Sequence, residues 1–311
     1  MSVLQNKKLI IIAGPTAVGK SDLGVELALR IGGEIISADS MQVYRHMDIG
    51  TAKITLEEMR GVPHHMIDII EPTEPYHVYD FKQRAKAACE EIYSRGKIPI
   101  VVGGTGFYIQ ALLYDIDFSD QGSDDSMRSD LQYIADNEGP ETLHKILAEL
   151  DPDTAASLHP NNVKRVIRAI EYARQNGVAI SKHNEEQREK KSPYDFKYFV
   201  LNDDRQAVYE RIDIRVDKMI EAGLEEEVRS LVEMGCTPDM TSMQGIGYKQ
   251  MLMYLNGQID LDEAIRLIKR DSRHYAKRQL TWFNRERDLI WLDLQQYSGN
   301  ESICDRVLSD L

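Results

Sequence analysis

Residues 14–21 read Gly-Pro-Thr-Ala-Val-Gly-Lys-Ser, a complete Gly-x-x-x-x-Gly-Lys-Ser pattern. Gly14 and Gly19 let the backbone, which runs through Thr16, Ala17 and Val18, wrap closely round an oxyanion, with successive N–H groups and a helix N-terminus turned toward it. Lys20 adds a mobile point charge, and the Ser21 hydroxyl is placed to ligate Mg²⁺. With Pro15, these eight residues form a phosphate-binding set. A nucleotide hydrolase also needs a strand ending in Asp to organise metal and water. Residues 98–102 end instead in Gly103-Gly104-Thr105-Gly106, a turn that allows close backbone approach to a ligand. The better acid is Asp39, just past an apolar strand, where a carboxylate would face the phosphate loop. It is either a proton acceptor for an incoming nucleophile or an ordinary turn former.

Other polar groups invite chemistry less directly. Arg211 and Arg215 share one helical face, so either could clamp developing negative charge or simply pair with Asp213, Asp217 or Glu221. Lys164, Arg165 and Arg168 lie on one side of a helix after Pro160, an arrangement that suits sugar-phosphate contacts. Residues 244–249 (Gln-Gly-Ile-Gly-Tyr-Lys) could hold a stacked base or be plain surface. The adjacent His64 and His65 fit hydrogen bonding on a loop better than metal ligation. Cys89, Cys236 and Cys304 show neither zinc-ligand spacing nor a disulfide framework, which points to a reducing cytosol.

The elements that must position these groups follow from periodicity. Residues 8–13, 34–38 and 98–102 are apolar strands that alternate with helices at 21–30 and 81–95. In the first helix, Leu23, Leu27 and Ile31 form one stripe. Residues 126–191 look helical throughout. Strand character returns at 196–201 and 289–292, with helices at 205–234, broken near Gly223, and at 261–284. The fold class expected is α/β: a P-loop doubly wound parallel sheet flanked by helices, with an all-helical insertion domain. The P-loop core would occupy 1–114 and 196–311, and the insertion 115–195. No apolar run approaches a membrane-spanning length. The net charge of −13 argues against a polyanion partner overall, but basic clusters at 164–168, 188–191 and 269–278 permit one locally.

Several further stretches accompany the P-loop: Ser37-Ala38-Asp39-Ser40-Met41-Gln42-Val43-Tyr44, Asp48-Ile49-Gly50-Thr51-Ala52-Lys53, Pro63-His64-His65 and Lys277-Arg278-Gln279-Leu280-Thr281-Trp282-Phe283. Together they resemble the bacterial tRNA dimethylallyltransferases, nearly end to end. The resemblance implies transfer of a dimethylallyl group from dimethylallyl diphosphate to N6 of the adenosine 3′ to the anticodon. The loop would then cradle a diphosphate leaving group with Mg²⁺, and no hydrolytic water is needed. It also implies catalytic roles for Asp39 as base and for Thr16, Lys20 and Arg215 at the diphosphate. Asp39, Ser40, Met41, Gln42, Thr105, Arg128, Lys164, Arg165, Arg168, Gly247, Tyr248 and Lys249 would contact tRNA, the insertion gripping its anticodon stem-loop. A cytoplasmic monomer is expected. The rival readings are a P-loop small-molecule or nucleotide kinase and a non-enzymatic P-loop RNA adaptor.

Overall fold

The computed structural model describes residues 7–117 and 125–311. β1 (Lys8–Ala13) is buried from Leu9 onward and runs into the P-loop and α1 (Lys20–Ile31). Then follow β2 (Glu34–Ser37), α2 (Leu56–Met59), β3 (His64–His65), α3 (Val78–Ser94), β4 (Pro99–Gly103) and α4 (Gly106–Leu113). After α5 (Asp125–Asn137), α6 (Pro140–Leu150), α7 (Pro152–Ser157), α8 (Val163–Asn176) and α9 (Ile180–Glu189), the sheet resumes with β5 (Asp195–Asn202). The chain ends through α10 (Arg205–Glu221), α11 (Leu224–Glu233), α12 (Tyr248–Leu255), α13 (Leu261–Phe283), β6 (Leu289–Asp293) and α14 (Asn300–Leu308).

All six strands pair in parallel, in the order β3-β2-β4-β1-β5-β6. The chain winds from β1 toward β2 and β3, then crosses back to β5 and β6. The switch point falls between β1 and β4, and ligands of such sheets sit beyond the carboxyl ends there. The loops after β1, β2 and β4 carry the P-loop, Asp39 and Thr105 to that edge. The apolar stripe of α1 packs as expected: Leu23 and Leu27 are buried against Ile10, Ile12, Ile35 and Val102, with Ile31 at the margin. α14, which no sequence signal announced, closes the same core with Ile303, Cys304 and Val307.

The two histidines are not on a loop. They form the short edge strand β3, because Ile35 and Ile36 offer it a free edge of β2. His64 Nδ1 donates to the Val62 carbonyl at 2.8 Å, and His65 Nε2 meets the Glu34 carboxylate at 2.8 Å. Burial of Glu34 would raise its pKa, but Arg95, His65 and Lys97 outweigh it and hold the carboxyl at about 2.

The chain divides into two compact units, residues 1–113 with 192–311, and Tyr114–Lys191. The expected insertion boundary of 195 shifts to 191, since Asp195 already pairs with Lys8 in the sheet. The helical unit has its own core of Leu131, Leu143, Leu147, Val166, Ile167 and Ile170. Within it, buried Asp151 caps α7 through the Thr154 N–H and also accepts from the Ser181 N–H at the start of α9. All three cysteines are free and buried. Among the described residues no helix is long and apolar enough to cross a membrane.

Candidate active site

The P-loop is held from two sides. Gly14 has φ 146, and a Cβ there would meet the Leu201 carbonyl oxygen at 2.6 Å, so only glycine lets β1 turn into the loop beside β5. Arg211 Nε donates to the Ala17 carbonyl at 2.8 Å, while its Nη2 pairs with Asp203 at 2.7 Å. On the other side, the Thr16 N–H donates to Gln279 Oε1 at 2.9 Å. Lys20 Nζ folds onto the Pro15 carbonyl at 2.6 Å. Burial, then the nearby charge of Arg215, lowers its pKa to about 8, with Asp39 opposing. Ser21, exposed at the start of α1, engages no group among the described residues.

Arg215 departs from the ion-pair alternative. Two of its three candidate partners are taken: Asp213 pairs with Arg273 and Asp217 with Lys269. Arg215 itself forms no salt bridge among the described residues, and burial lowers its pKa. Two cations, Lys20 and Arg215, are therefore partly desolvated without a paired carboxylate, beside the P-loop. Such a site is charged for an anion before the anion arrives.

Asp39 is a turn former and more. Its Oδ1 accepts from the N–H of Met41 at 2.8 Å and of Gln42 at 3.3 Å. Its Oδ2 has no hydrogen-bond partner among the described residues. Gln42 is fixed by Ser37, whose hydroxyl donates to it at 3.2 Å. Thr105 Oγ1 accepts the Ser40 N–H at 3.3 Å. Thr16, Asp39, Ser40, Met41 and Arg215 all line one cavity of about 300 Å³. Its other walls are residues 50–52, the 244–246 turn, an apolar strip of Ile212, Val216, Met219 and Ile268, and Tyr275 with Arg278. A larger, more open groove of about 390 Å³ lies where β5 and β6 begin, away from every predicted site residue.

Loop 48–50 is set by a residue that carried no signal in sequence. Glu227 on α11 accepts the N–H groups of Asp48, Ile49 and Gly50 at 2.7–3.0 Å and the Tyr248 hydroxyl at 2.6 Å. Lys53 pins the same loop through the Tyr44 carbonyl, Asp48 and Asp68. Glu227→Ala leaves those amides without their acceptor, and we expect it to lower unfolding free energy in urea by about 2–3 kcal/mol; an unchanged midpoint would show the loop to be held otherwise.

Two sequence-based expectations need correction. The close approach allowed by Gly103, Gly104 and Gly106 is to the protein itself. A Cβ at these positions would strike the Ala38 carbonyl oxygen at 2.3 Å, Gln279 Nε2 at 2.1 Å and the Trp282 ring at 2.2 Å. The turn after β4 is glycine-rich because β2 and α13 pack on it. The second concerns the 244–249 turn as a base-stacking platform. Tyr248 is 1% exposed, its ring against Gly50, so no base can stack on it. Gly247, at φ 99, starts α12, and Lys249 alone of the three faces solvent.

In the helical unit, Lys164, Arg165 and Arg168 are exposed on α8 and form no salt bridge among the described residues. Arg128 is half exposed but engaged: its Nε and Nη2 reach the fully buried Glu171 carboxylate at 3.1 and 3.0 Å.

Comparison with known proteins decides the family. The model described as IPP transferase matches residues 42–286, and one described as isopentenyl transferase matches 7–70. The chain belongs to the IPP transferase family. It is 57% identical over 303 residues to a tRNA dimethylallyltransferase of Lachnoclostridium phytofermentans, covering 97% of both chains. Among solved structures, it resembles the full-length tRNA isopentenylpyrophosphate transferase of Bacillus halodurans, with TM-score 0.73, 44% identity and coverage of 97% and 96%. It also resembles a eukaryotic dimethylallyltransferase described as acting on tRNA, with TM-score 0.80, 34% identity and coverage of 98% of this chain and 79% of that one. Family membership supports the prenyl-transfer reading and gives the kinase alternative no support.

Proposed function

We infer that this member of the family transfers a dimethylallyl group from dimethylallyl diphosphate to N6 of the adenosine 3′ to the anticodon in tRNA. The observation that carries the reading is the cavity that joins Thr16 of the P-loop and the unpaired Arg215 to Asp39 across an apolar strip, with Lys20 near enough to feel the charges of both Arg215 and Asp39. Apolar lining beside the phosphate loop suits an allylic carbon.

The P-loop amides, Lys20 and Arg215 bind the diphosphate and take up the charge that builds on its bridging oxygen as the C–O bond breaks. The Thr16 side chain is held at the same edge by its own N–H bond to Gln279. Ile212, Val216, Met219 and Ile268 cover the electron-poor allylic carbon and keep water from it. The adenine, extruded from the anticodon loop, enters beside residues 39–42 and Thr105. Its exocyclic amine has a lone pair delocalised into the ring. As the N–C bond forms, the amine's proton passes to Asp39 Oδ2, because Oδ1 is already engaged by two amides. Ser21 suits Mg²⁺: its free hydroxyl and the diphosphate oxygens make a hard-oxygen set. Bound there, the ion supplies Lewis-acid neutralisation of the leaving group.

The helical unit would grip the anticodon stem-loop through Lys164, Arg165 and Arg168. Replacing all three by alanine should flatten the slope of log affinity against log salt for tRNA by about two to three; a slope that does not move would make that face ordinary surface. The reaction itself is tested by incubating enzyme and tRNA with labelled dimethylallyl diphosphate or with γ-labelled ATP. Label in tRNA from the first alone is the expected result. Label from the second, or none from the first, would sink it.

A further inference from the structure

Gln279 is 6% exposed, on α13, with both ends of its amide committed. Its Oε1 accepts the Thr16 N–H at 2.9 Å, and its Nε2 donates to the Gly104 carbonyl at 3.0 Å. The first partner belongs to the P-loop. The second belongs to the turn that presents Thr105, which in turn holds the Ser40 N–H next to Asp39. Tyr275, one helical turn earlier, sets its hydroxyl beside both Thr105 and Gln279. The fit is tight: a Cβ on Gly104 would lie 2.1 Å from Gln279 Nε2, so any side chain there would push that amide out of its present place.

We propose that Gln279 is a positioning residue: a strut that fixes the separation between the diphosphate loop and the Asp39 site, so that the allylic carbon and N6 meet at reacting distance. The inference rests on the prenyl-transfer reading. The two reactants are held by loops that follow different strands, β1 on one side and β2 with β4 on the other. The P-loop amide that meets Gln279 belongs to Thr16, whose residue lines the cavity, and the turn it meets abuts the Asp39 loop. Only a side chain with both a donor and an acceptor spans them. Small errors in such a separation act on the rate of bond formation more than on binding of either reactant.

The test uses the full-length enzyme. Gln279→Ala should lower the single-turnover transfer rate about a hundredfold, with the dissociation constants of dimethylallyl diphosphate and tRNA each within about threefold of wild type. Gln279→Glu retains the acceptor for Thr16 but loses the donor to Gly104 while ionised. Its transfer rate should therefore recover relative to wild type as pH falls and the carboxyl regains a proton. A Gln279→Ala rate close to wild type, or a loss mirrored fully in diphosphate affinity, would overturn the proposal. If the alanine variant does not fold, a Gln279→Glu pH profile parallel to that of wild type overturns it alone. Absence of transfer by the wild-type enzyme would instead count against the function proposed above.

Discussion

Asp39→Asn lowers the single-turnover rate of prenyl transfer by about 10²–10⁴-fold, while tRNA binding and unfolding midpoint stay near wild type. Asparagine is the discriminating change because the Asp39 side chain does two things. Its Oδ1 accepts from Met41 and Gln42, and an asparagine Oδ1 can do the same. The Oδ2 position becomes an amide that cannot take a proton. Asp39→Ala removes both roles and disturbs the loop that carries Ser40, Met41 and Gln42, so its loss is harder to assign. The asparagine variant also loses a charge that raises the pKa of Lys20. Its affinity for dimethylallyl diphosphate should therefore begin to fall at a lower pH than that of wild type. A transfer rate within about threefold of wild type would remove Asp39 from the base role.

Lys20→Ala weakens dimethylallyl diphosphate binding by about a hundredfold, the range of a charge-assisted contact in a site with little water. The wild-type pH dependence gives an independent check. Lys20 in the free enzyme releases its proton at about 8, below its ordinary 10.5. Bound diphosphate favours the charged form, so binding above pH 8 takes up a proton and weakens by up to about tenfold per pH unit. That slope should vanish in Lys20→Ala. Stability runs the other way. Between pH 8 and 10.5 the unfolded chain holds the Lys20 proton that the folded one has lost, so the free enzyme gains stability from this group as pH rises. Calorimetric titration at several pH values measures the first effect and thermal unfolding the second. A pH-independent affinity in wild type would place Lys20 away from the diphosphate.

The parts of this site that were legible in sequence are those made by neighbours along the chain. The P-loop is eight consecutive residues, and its strand and helix declare themselves by period. Asp39 follows its strand directly, and parallel strands deliver such loops to one edge. What was not legible depends on partners far away in the chain. Gln279 meets Thr16 from the far end of α13, and Glu227 meets residues 48–50 from α11. Glu227 has no local pattern that distinguishes it from a surface residue of a helix, and Gln279, though it stands in a stretch that carries the family resemblance, shows nothing there of its partners. The glycines of residues 103–106 were visible as glycines, but what they make room for was not, since Gln279 and Trp282 lie in another segment. Tyr248 misled for the same reason. Beside a glycine and a lysine it suggests an open turn, and only Glu227 and Gly50 reveal that its ring faces inward.

The strand order also has a consequence for how the enzyme comes off the ribosome. β1 lies between β4 and β5, yet β5 is made only after the whole helical unit. A nascent chain that has reached Lys191 already contains the P-loop, Asp39 and Thr105. It still has one bare edge on β1, and it lacks Arg211, Arg215, Tyr275 and Gln279. Arg215, and the side chains that hold the P-loop and the Asp39 site in place, thus wait on the last third of the message. Premature termination before α13 therefore leaves a chain that carries the P-loop and Asp39 but lacks both Gln279 and the edge strand β6.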